Sequence, residues 1–164
     1  MGLSVRDISL NLLRWLFGAV FLFSGLTKAV DPVGTSVFVE KYLTTYGLDA
    51  LMEFALPIAL ALATVELTLG IAVIINAFHR LTLRISLLFV ALFTLITLLS
   101  ATVLPIGDCG CFGDAVKLSP WATFWKNIGL LVVVVVLLRC DHRGYTTSLT
   151  QIGLCLVGLI FALG

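Results

Sequence analysis

ISLLFVALFTLITLLSATVLPI, residues 85–106, contains no charged side chain and decides the class of fold. A helix that crosses a membrane needs about 20 predominantly apolar residues, and this stretch supplies them without a break. Four further apolar runs flank it: residues 12–27, which include Arg14 near one end, residues 54–78, broken by Glu66, residues 121–138, which contain Lys126, and residues 148–164. Because the hydrocarbon core offers backbone groups no water, each run is expected to be a helix.

The composition agrees with this interpretation. The chain has 164 residues, of which 60% are hydrophobic and 12% are charged, whereas soluble proteins average roughly 45–50% apolar and about 25% charged residues. A net charge of +1 argues against a nucleic-acid partner, which would require a basic face. We predict an all-α integral membrane protein in contact with membrane lipid. Residues 1–140 form a four-helix transmembrane bundle, and residues 141–164 form a cytoplasmic loop and a fifth, terminal transmembrane helix.

Both ends of the chain need separate consideration. The first apolar run lacks a small-x-small cleavage site near Thr27, so a retained helix is expected rather than a signal peptide. The last run reaches only about 26 Å at a rise of 1.5 Å per residue, which barely crosses a membrane. Either it is a short terminal helix or the natural chain continues past Gly164, and the second interpretation is slightly favoured.

The basic residues separate by type along the predicted topology. Arginines fall on one side of the membrane and lysines on the other: Arg6, Arg14, Arg80, Arg84, Arg139 and Arg143 against Lys28, Lys41, Lys117 and Lys126. All but two of the acidic residues outside the spans lie on the lysine side, so the arginine side is the more positive. The positive-inside rule places the N-terminus in the cytoplasm and residues 28–53 and 107–120 outside. A bacterial inner membrane is the expected location.

Two cysteines lie on the predicted outer side. Cys109 and Cys111 belong to IGDCGCFGD, residues 106–114, and an extracytoplasmic location is one where disulfides form and persist. A disulfide between residues two apart departs from the preferred geometry and is expected to exchange readily. Cys140 and Cys155 are interpreted as small apolar residues.

Two other interpretations of the outer cysteines are weaker. A structural disulfide would close too short a loop to constrain the unfolded chain. Metal binding by the two thiolates with Asp108 or Asp114 is chemically reasonable for a soft metal, but both histidines of the chain lie on the predicted cytoplasmic side. We therefore favour thiol–disulfide chemistry and expect no metal.

Several polar residues lie within or at the ends of the spans. Glu66 is either a proton relay or quinone-site carboxylate, or half of a structural pair, and both interpretations stay open. Lys28 is expected to extend toward the membrane interface. Lys126 and Asn127 are expected to form an inward-facing polar pair, and a cation beside the cysteines would stabilise a thiolate. Three glycines are predicted to be helix-packing residues: Gly18, Gly25 and Gly70.

Three motifs now suggest a family. FLFSGLTK, residues 21–28, followed by Asp31-Pro32, resembles the first-helix signature of DoxX-like membrane proteins. Glu66 and Gly70 match the Glu-x-x-x-Gly of the second helix in that family. DCGCFGD, residues 108–114, followed by Lys126-Asn127, is similar to the MauE branch, named for methylamine utilisation. The resemblance covers about residues 10–140.

The resemblance implies a four-helix membrane core that works with periplasmic thioredoxin-like proteins. MauE-type proteins are thought to support disulfide formation or electron supply during maturation of exported proteins, and DoxX-type relatives are associated with quinone-linked sulfur oxidation. By resemblance, Cys109 and Cys111 are the redox pair, and the polar lining is Glu66, Lys28, Lys126 and Asn127.

These observations predict a membrane thiol–disulfide oxidoreductase. It would exchange electrons between a periplasmic thioredoxin-like or exported cysteine-containing protein and a membrane carrier, expected to be a quinone bound in a cleft of the bundle. One alternative is a non-enzymatic partner that anchors or recruits a periplasmic maturation protein. A permease that uses Glu66 is the least favoured, because the sequence shows little inverted-repeat signal.

Overall fold

A computed structural model describes residues 5–102 and 119–140, and every regular element in these ranges is helical. The helices are α1 (Val5–Val30), α2 (Pro32–Thr45), a short 3-10 helix (Asp49–Phe54), α3 (Ala55–Ile74), α4 (His79–Thr102) and α5 (Pro120–Cys140). Four stretches are long and apolar enough to cross a membrane: Ile8–Val30, Asp49–Ile74, His79–Thr102 and Pro120–Cys140. The first four predicted spans are therefore confirmed as helices among the described residues, although the second helix ends at Ile74 rather than at Phe78. The predicted fifth span lies outside the described residues.

The junction between α1 and α2 is set by Asp31 and Pro32. Pro32 begins α2, where its missing N–H would have had no helical partner. The side-chain Oδ1 of Asp31 accepts a hydrogen bond of 2.8 Å from the backbone N–H of Gly34 and caps the new helix. α1 ends at Val30, directly before this dipeptide. The helix that follows is a finding beyond the sequence prediction, which treats residues 28–53 as an outer segment.

The end of α2 depends on Gly47. Its φ of 70° is a left-handed conformation that glycine adopts without strain. The N–H groups of Gly47 and Leu48 donate to the carbonyls of Thr44 and Leu43 at 3.1 and 2.8 Å. This is a glycine-terminated helix end in which the last carbonyls are satisfied. The chain then turns into the 3-10 helix that leads to α3.

Two helix pairs make up the bundle. α1 packs mainly against α3, α4 packs against α5, and contacts between α1 and α5 join the two pairs. α2 lies against α3. The buried apolar core draws on all four long helices: Phe17, Phe21, Leu69, Val73, Leu83, Val90, Val134 and Leu137. The polar residues of the site are held where these helices meet.

Glycines bring α1 and α3 close together. A Cβ atom built on Gly25 would lie 2.8 Å from Leu67 Cγ and 2.9 Å from the Leu67 backbone nitrogen, and one on Gly70 would lie 3.0 Å from the carbonyl oxygen of Gly18. The predicted packing role of these three glycines is confirmed. Small residues of this kind let the backbones of membrane helices approach.

We expect Gly25→Ala to destabilise the protein by about 1–3 kcal/mol, the usual cost of overpacking a well-packed interface. The clash includes a backbone atom of Leu67, so the helices must separate to relieve it. Gly129→Ala in α5 is the control, because a Cβ there has nothing within 4 Å. The free energy of unfolding in mixed detergent micelles measures both. Equal losses for the two variants would contradict the close approach of α1 and α3.

Candidate functional site

A buried ion pair joins α1 to α3. The Nζ atom of Lys28 lies 2.8 Å from Oε2 of Glu66, and the two side chains are only 3% and 6% exposed. The same ammonium group donates to the hydroxyl of Ser24 at 2.8 Å and to the Ser24 carbonyl oxygen at 3.3 Å. The cation is thus surrounded by three oxygen atoms, which provide the pairing and hydrogen bonding that a buried charge requires.

The direction of Lys28 corrects a sequence prediction. The side chain was expected to extend outward to the interface, but the residue is 2% exposed and reaches Ser24 and Glu66 instead. The physical reason is that Cα–Cβ bonds tilt toward the N-terminus of a helix. A lysine in the last turn of α1 therefore runs back over the preceding turn, and Glu66 supplies the opposite charge there. Glu66 is thereby one half of a buried pair, while its part in proton transfer stays a prediction.

A small cavity, the polar chamber, lies beside this pair. Its volume is about 30 Å³, and its polar wall consists of Ser24, Glu66, Lys126 and Asn127. Apolar side chains complete the wall: Val20, Phe21, Phe89, Val90, Phe93 and Leu130. Helices α1, α3, α4 and α5 all contribute to it. The structure thus brings the four predicted lining residues together. Glu66, Lys126 and Asn127 line the chamber, and Lys28 is bonded to Glu66.

Asn127 and Lys126 occupy their places in the chamber differently. Asn127 is 4% exposed, and its Nδ2 atom donates to the hydroxyl of Thr97 at 3.4 Å. Thr97 in turn donates to the carbonyl oxygen of Phe93 at 2.9 Å. Lys126 is half-buried and lies in the second turn of α5. The amide is therefore anchored to α4, whereas the lysine lies nearer the surface of the bundle.

A larger cavity, the cleft, opens on the other side of the ion pair. Its volume is about 290 Å³, and it lies between α2, α3 and α4 with Lys28 in its wall. Two tyrosines, Tyr42 of α2 and Tyr46 directly after its end, line it with their rings stacked at a centroid distance of 6.3 Å. The remaining lining residues are Thr35, Phe38, Val39, Leu43, Leu48, Ile58, Leu62, Phe93, Ile96 and Thr97.

The α2 residues of the cleft are missing from the sequence prediction. The spacing of Tyr42 and Tyr46 by four residues, which places both on one helix face, is the signal that would have found them. Ser100 on α4 donates to the Tyr42 hydroxyl at 3.4 Å, so this tyrosine links α2 to α4. The outer segment therefore supplies one wall of the cleft.

The ion pair connects the two cavities. Lys28 lines the cleft and Glu66 lines the polar chamber. Phe93 lines both cavities, and Thr97 lines the cleft while it accepts the hydrogen bond from Asn127 of the chamber. A proton on Lys28 is therefore separated from the chamber by one hydrogen bond.

The predicted redox residues lie in another part of the chain. Cys109, Cys111, Asp108 and Asp114 fall outside the described residues, so their roles stay predictions. Within residues 5–102 and 119–140, no cluster of three histidine, cysteine or acidic side chains suited to a metal ion is found.

Comparison with known proteins decides the family. Residues 6–139 match the family described as methylamine utilisation protein MauE. The chain belongs to the MauE family. Protein TlpB of Flavobacterium psychrophilum is 31% identical to this MauE family member over 133 residues, a match that covers 76% of the chain. The match covers 35% of TlpB, so the chain spans about a third of the length of that relative.

No solved structure matches this MauE family protein significantly. With its four candidate spans, the family membership makes the protein a multi-pass membrane protein. The wider DoxX-like resemblance, the inner-membrane location and the orientation stay predictions.

Proposed function

We propose that this MauE family member is a membrane thiol–disulfide oxidoreductase. It exchanges electrons between an extracytoplasmic thioredoxin-like or exported cysteine-containing protein and a quinone, through Cys109 and Cys111 on the periplasmic side of a bacterial inner membrane. The observation that carries the proposal is the cleft of about 290 Å³, which Lys28 of the buried ion pair helps to line.

The chemistry of the cleft suits a quinone head group. A quinone is a flat apolar ring with two carbonyl oxygens, so it needs an apolar slot and hydrogen-bond donors. The cleft has aromatic and aliphatic walls, and three of its lining residues carry groups able to donate hydrogen bonds: Tyr42, Tyr46 and Lys28. Its volume lies close to the lower end of the roughly 300–1,000 Å³ typical of small-molecule pockets. A fixed cation at a carbonyl oxygen favours the negative charge that reduction places there.

The redox steps balance without a further reagent. A thiolate of the partner attacks one sulfur of the Cys109–Cys111 bond, and the mixed disulfide is resolved by the second thiolate of the partner. The partner leaves with a disulfide, and Cys109 and Cys111 become thiols. These two thiols then lose two electrons and two protons to the quinone, which becomes a quinol, and their disulfide is restored. The opposite flow of electrons uses the same steps in reverse.

The redox state of the pair tests the proposal. We expect Cys109 and Cys111 to be oxidised in membranes that contain quinone and reduced in membranes from cells that cannot make it. A mass-shifting maleimide added to acid-trapped membranes counts the thiols, and a Cys140→Ser/Cys155→Ser background removes the other two cysteines from the count.

The comparison with a redox-inert variant completes that experiment. Cys109→Ser/Cys111→Ser should abolish any quinone-dependent change and any activity in maturation of exported proteins. A wild-type pair that ignores quinone depletion, together with a double variant that keeps full activity, would replace the oxidoreductase with the anchoring role.

A further inference from the structure

We propose that the polar chamber holds water and that Glu66 passes protons from this water to Lys28 for delivery to the quinone in the cleft. The inference deepens the proposed function and rests on it. It gives Glu66 the part of a proton-transfer group and Lys28 the part of the donor that meets the quinone.

The chamber meets the conditions for a buried water molecule. Its volume of about 30 Å³ exceeds the roughly 10–15 Å³ that one water molecule requires, and such a molecule needs two to four polar partners. Ser24, Glu66, Lys126 and Asn127 supply these partners from three different helices. Even larger apolar cavities can stay dry, so the polar part of the wall is the feature that favours water here.

Two lysines lie near Glu66. Lys28 lies at 2.8 Å on one side, and Lys126 lines the chamber on the other side. Glu66 and Lys126 are the ionisable residues of the chamber wall within the part of the chain that the structure describes. Lys126 lies near the N-terminal end of α5, the end that follows the cysteine segment in the chain.

The proton count matches the redox steps. Oxidation of the two thiols releases two electrons and two protons, and reduction of the quinone consumes the same numbers. Lys28 gives a proton to the quinone oxygen that has gained electrons. The Glu66 carboxylate takes a proton from chamber water and passes it across the 2.8 Å contact to the Lys28 amine, and a proton released by the thiols restores the water. Two such cycles complete the quinol.

The first test is single-turnover reduction of a short-chain ubiquinone by protein in liposomes, after reduction with dithiothreitol and removal of the reagent. We expect Glu66→Gln to slow the reaction at least about 100-fold, within the usual range for loss of an acid–base group. Quinone binding, measured separately by equilibrium titration, should change less than the rate. Lys126→Gln should slow the reaction by about tenfold, because it affects proton supply and leaves the ion pair intact.

The second test needs only the folded wild-type protein. Hydroxyl-radical footprinting modifies side chains that touch bound water, and two stacked phenylalanines of α1 make a matched pair. Phe21 lines the chamber and is 5% exposed, whereas Phe17 is 0% exposed and lies in the core. We expect modification of Phe21 and none of Phe17, and equal protection of both would overturn the wet chamber.

The outcomes separate this inference from the proposed function. A wild-type protein that cannot reduce the quinone overturns both. An active wild type with a Glu66→Gln variant of equal rate overturns the proton-transfer role alone and leaves the oxidoreductase standing. A slow variant together with a modified Phe21 supports the inference.

Discussion

Lys28→Met is expected to destabilise the protein by about 3–5 kcal/mol, because it leaves a buried carboxylate without its cation. Glu66 is 5% exposed, so solvent gives its charge little relief. The hydroxyl and the carbonyl oxygen of Ser24 also lose the hydrogen bonds that the Lys28 ammonium group donates to them. The free energy of unfolding, measured at neutral pH in mixed detergent micelles, should show the loss directly.

Removing the carboxylate together with the cation should restore most of that stability. Replacement of a buried ion pair by apolar side chains of similar volume is often neutral or stabilising, whereas removal of one partner is not. We therefore expect the free energy of unfolding of Lys28→Met/Glu66→Leu to lie within about 1 kcal/mol of the wild-type value. A double-mutant cycle would then give a large coupling energy between the two residues.

An exposed lysine supplies the control for this cycle. Lys41 lies on α2 with its side chain exposed, and Lys41→Met should change stability by no more than about 0.5 kcal/mol. If Lys28→Met lowered the free energy of unfolding as little as Lys41→Met, the Lys28–Glu66 contact would not be a charged pair in the folded protein.

Leu62→Trp is expected to slow quinone-dependent reoxidation of Cys109 and Cys111 at least about tenfold, which corresponds to roughly 1.4 kcal/mol of lost binding or barrier free energy. Leu62 projects from α3 into the cleft, where an indole ring would occupy the space available to the quinone. Filling a cavity usually leaves stability unchanged or raises it, so the effect should appear in the rate rather than in folding.

The same helix offers a matched control for the cleft. Leu60 lies two residues earlier on α3 and is 42% exposed, outside the lining of the cleft. In the Leu60→Trp variant, Cys109 and Cys111 should therefore be reoxidised at the wild-type rate in the maleimide assay. Equal slowing by both variants would indicate a general effect of tryptophan on α3, and normal rates for both would place the quinone elsewhere.

Much of the fold is predictable because the decisive signal is local. An uncharged run such as residues 85–106 has no alternative to a membrane helix, and Asp31-Pro32 ends α1 through the covalent chemistry of proline. The helix α2 escaped prediction because its sequence includes Glu40 and Lys41 and lacks the long apolar run that identifies a span. A short helix of mixed polar and apolar residues has a much weaker signal in the sequence.

The site was predictable in its residue types but not in its pairings. The positions of Glu66, Lys126 and Asn127 within apolar runs indicate inward-facing polar groups from sequence alone. The partner of Lys28 is separated from it by 38 positions along the chain, so only the close packing of α1 on α3 reveals it. The cleft escaped prediction for the same reason, since its walls come from four helices.

The ion pair also has a consequence for biogenesis. α1 leaves the ribosome before α3 exists, so Lys28 enters the bilayer without the carboxylate that later neutralises it. Its position two residues before the end of α1 keeps this stage tolerable, because a lysine near a helix end costs far less to insert than the roughly 2.5–3.5 kcal/mol at the centre. The hydrogen bonds of the ammonium group to Ser24 lie within α1, whereas its contact with Glu66 can form only when α3 arrives. Docking of α1 on α3 is therefore a step that follows insertion, and the Lys28–Glu66 contact forms when the two helices dock.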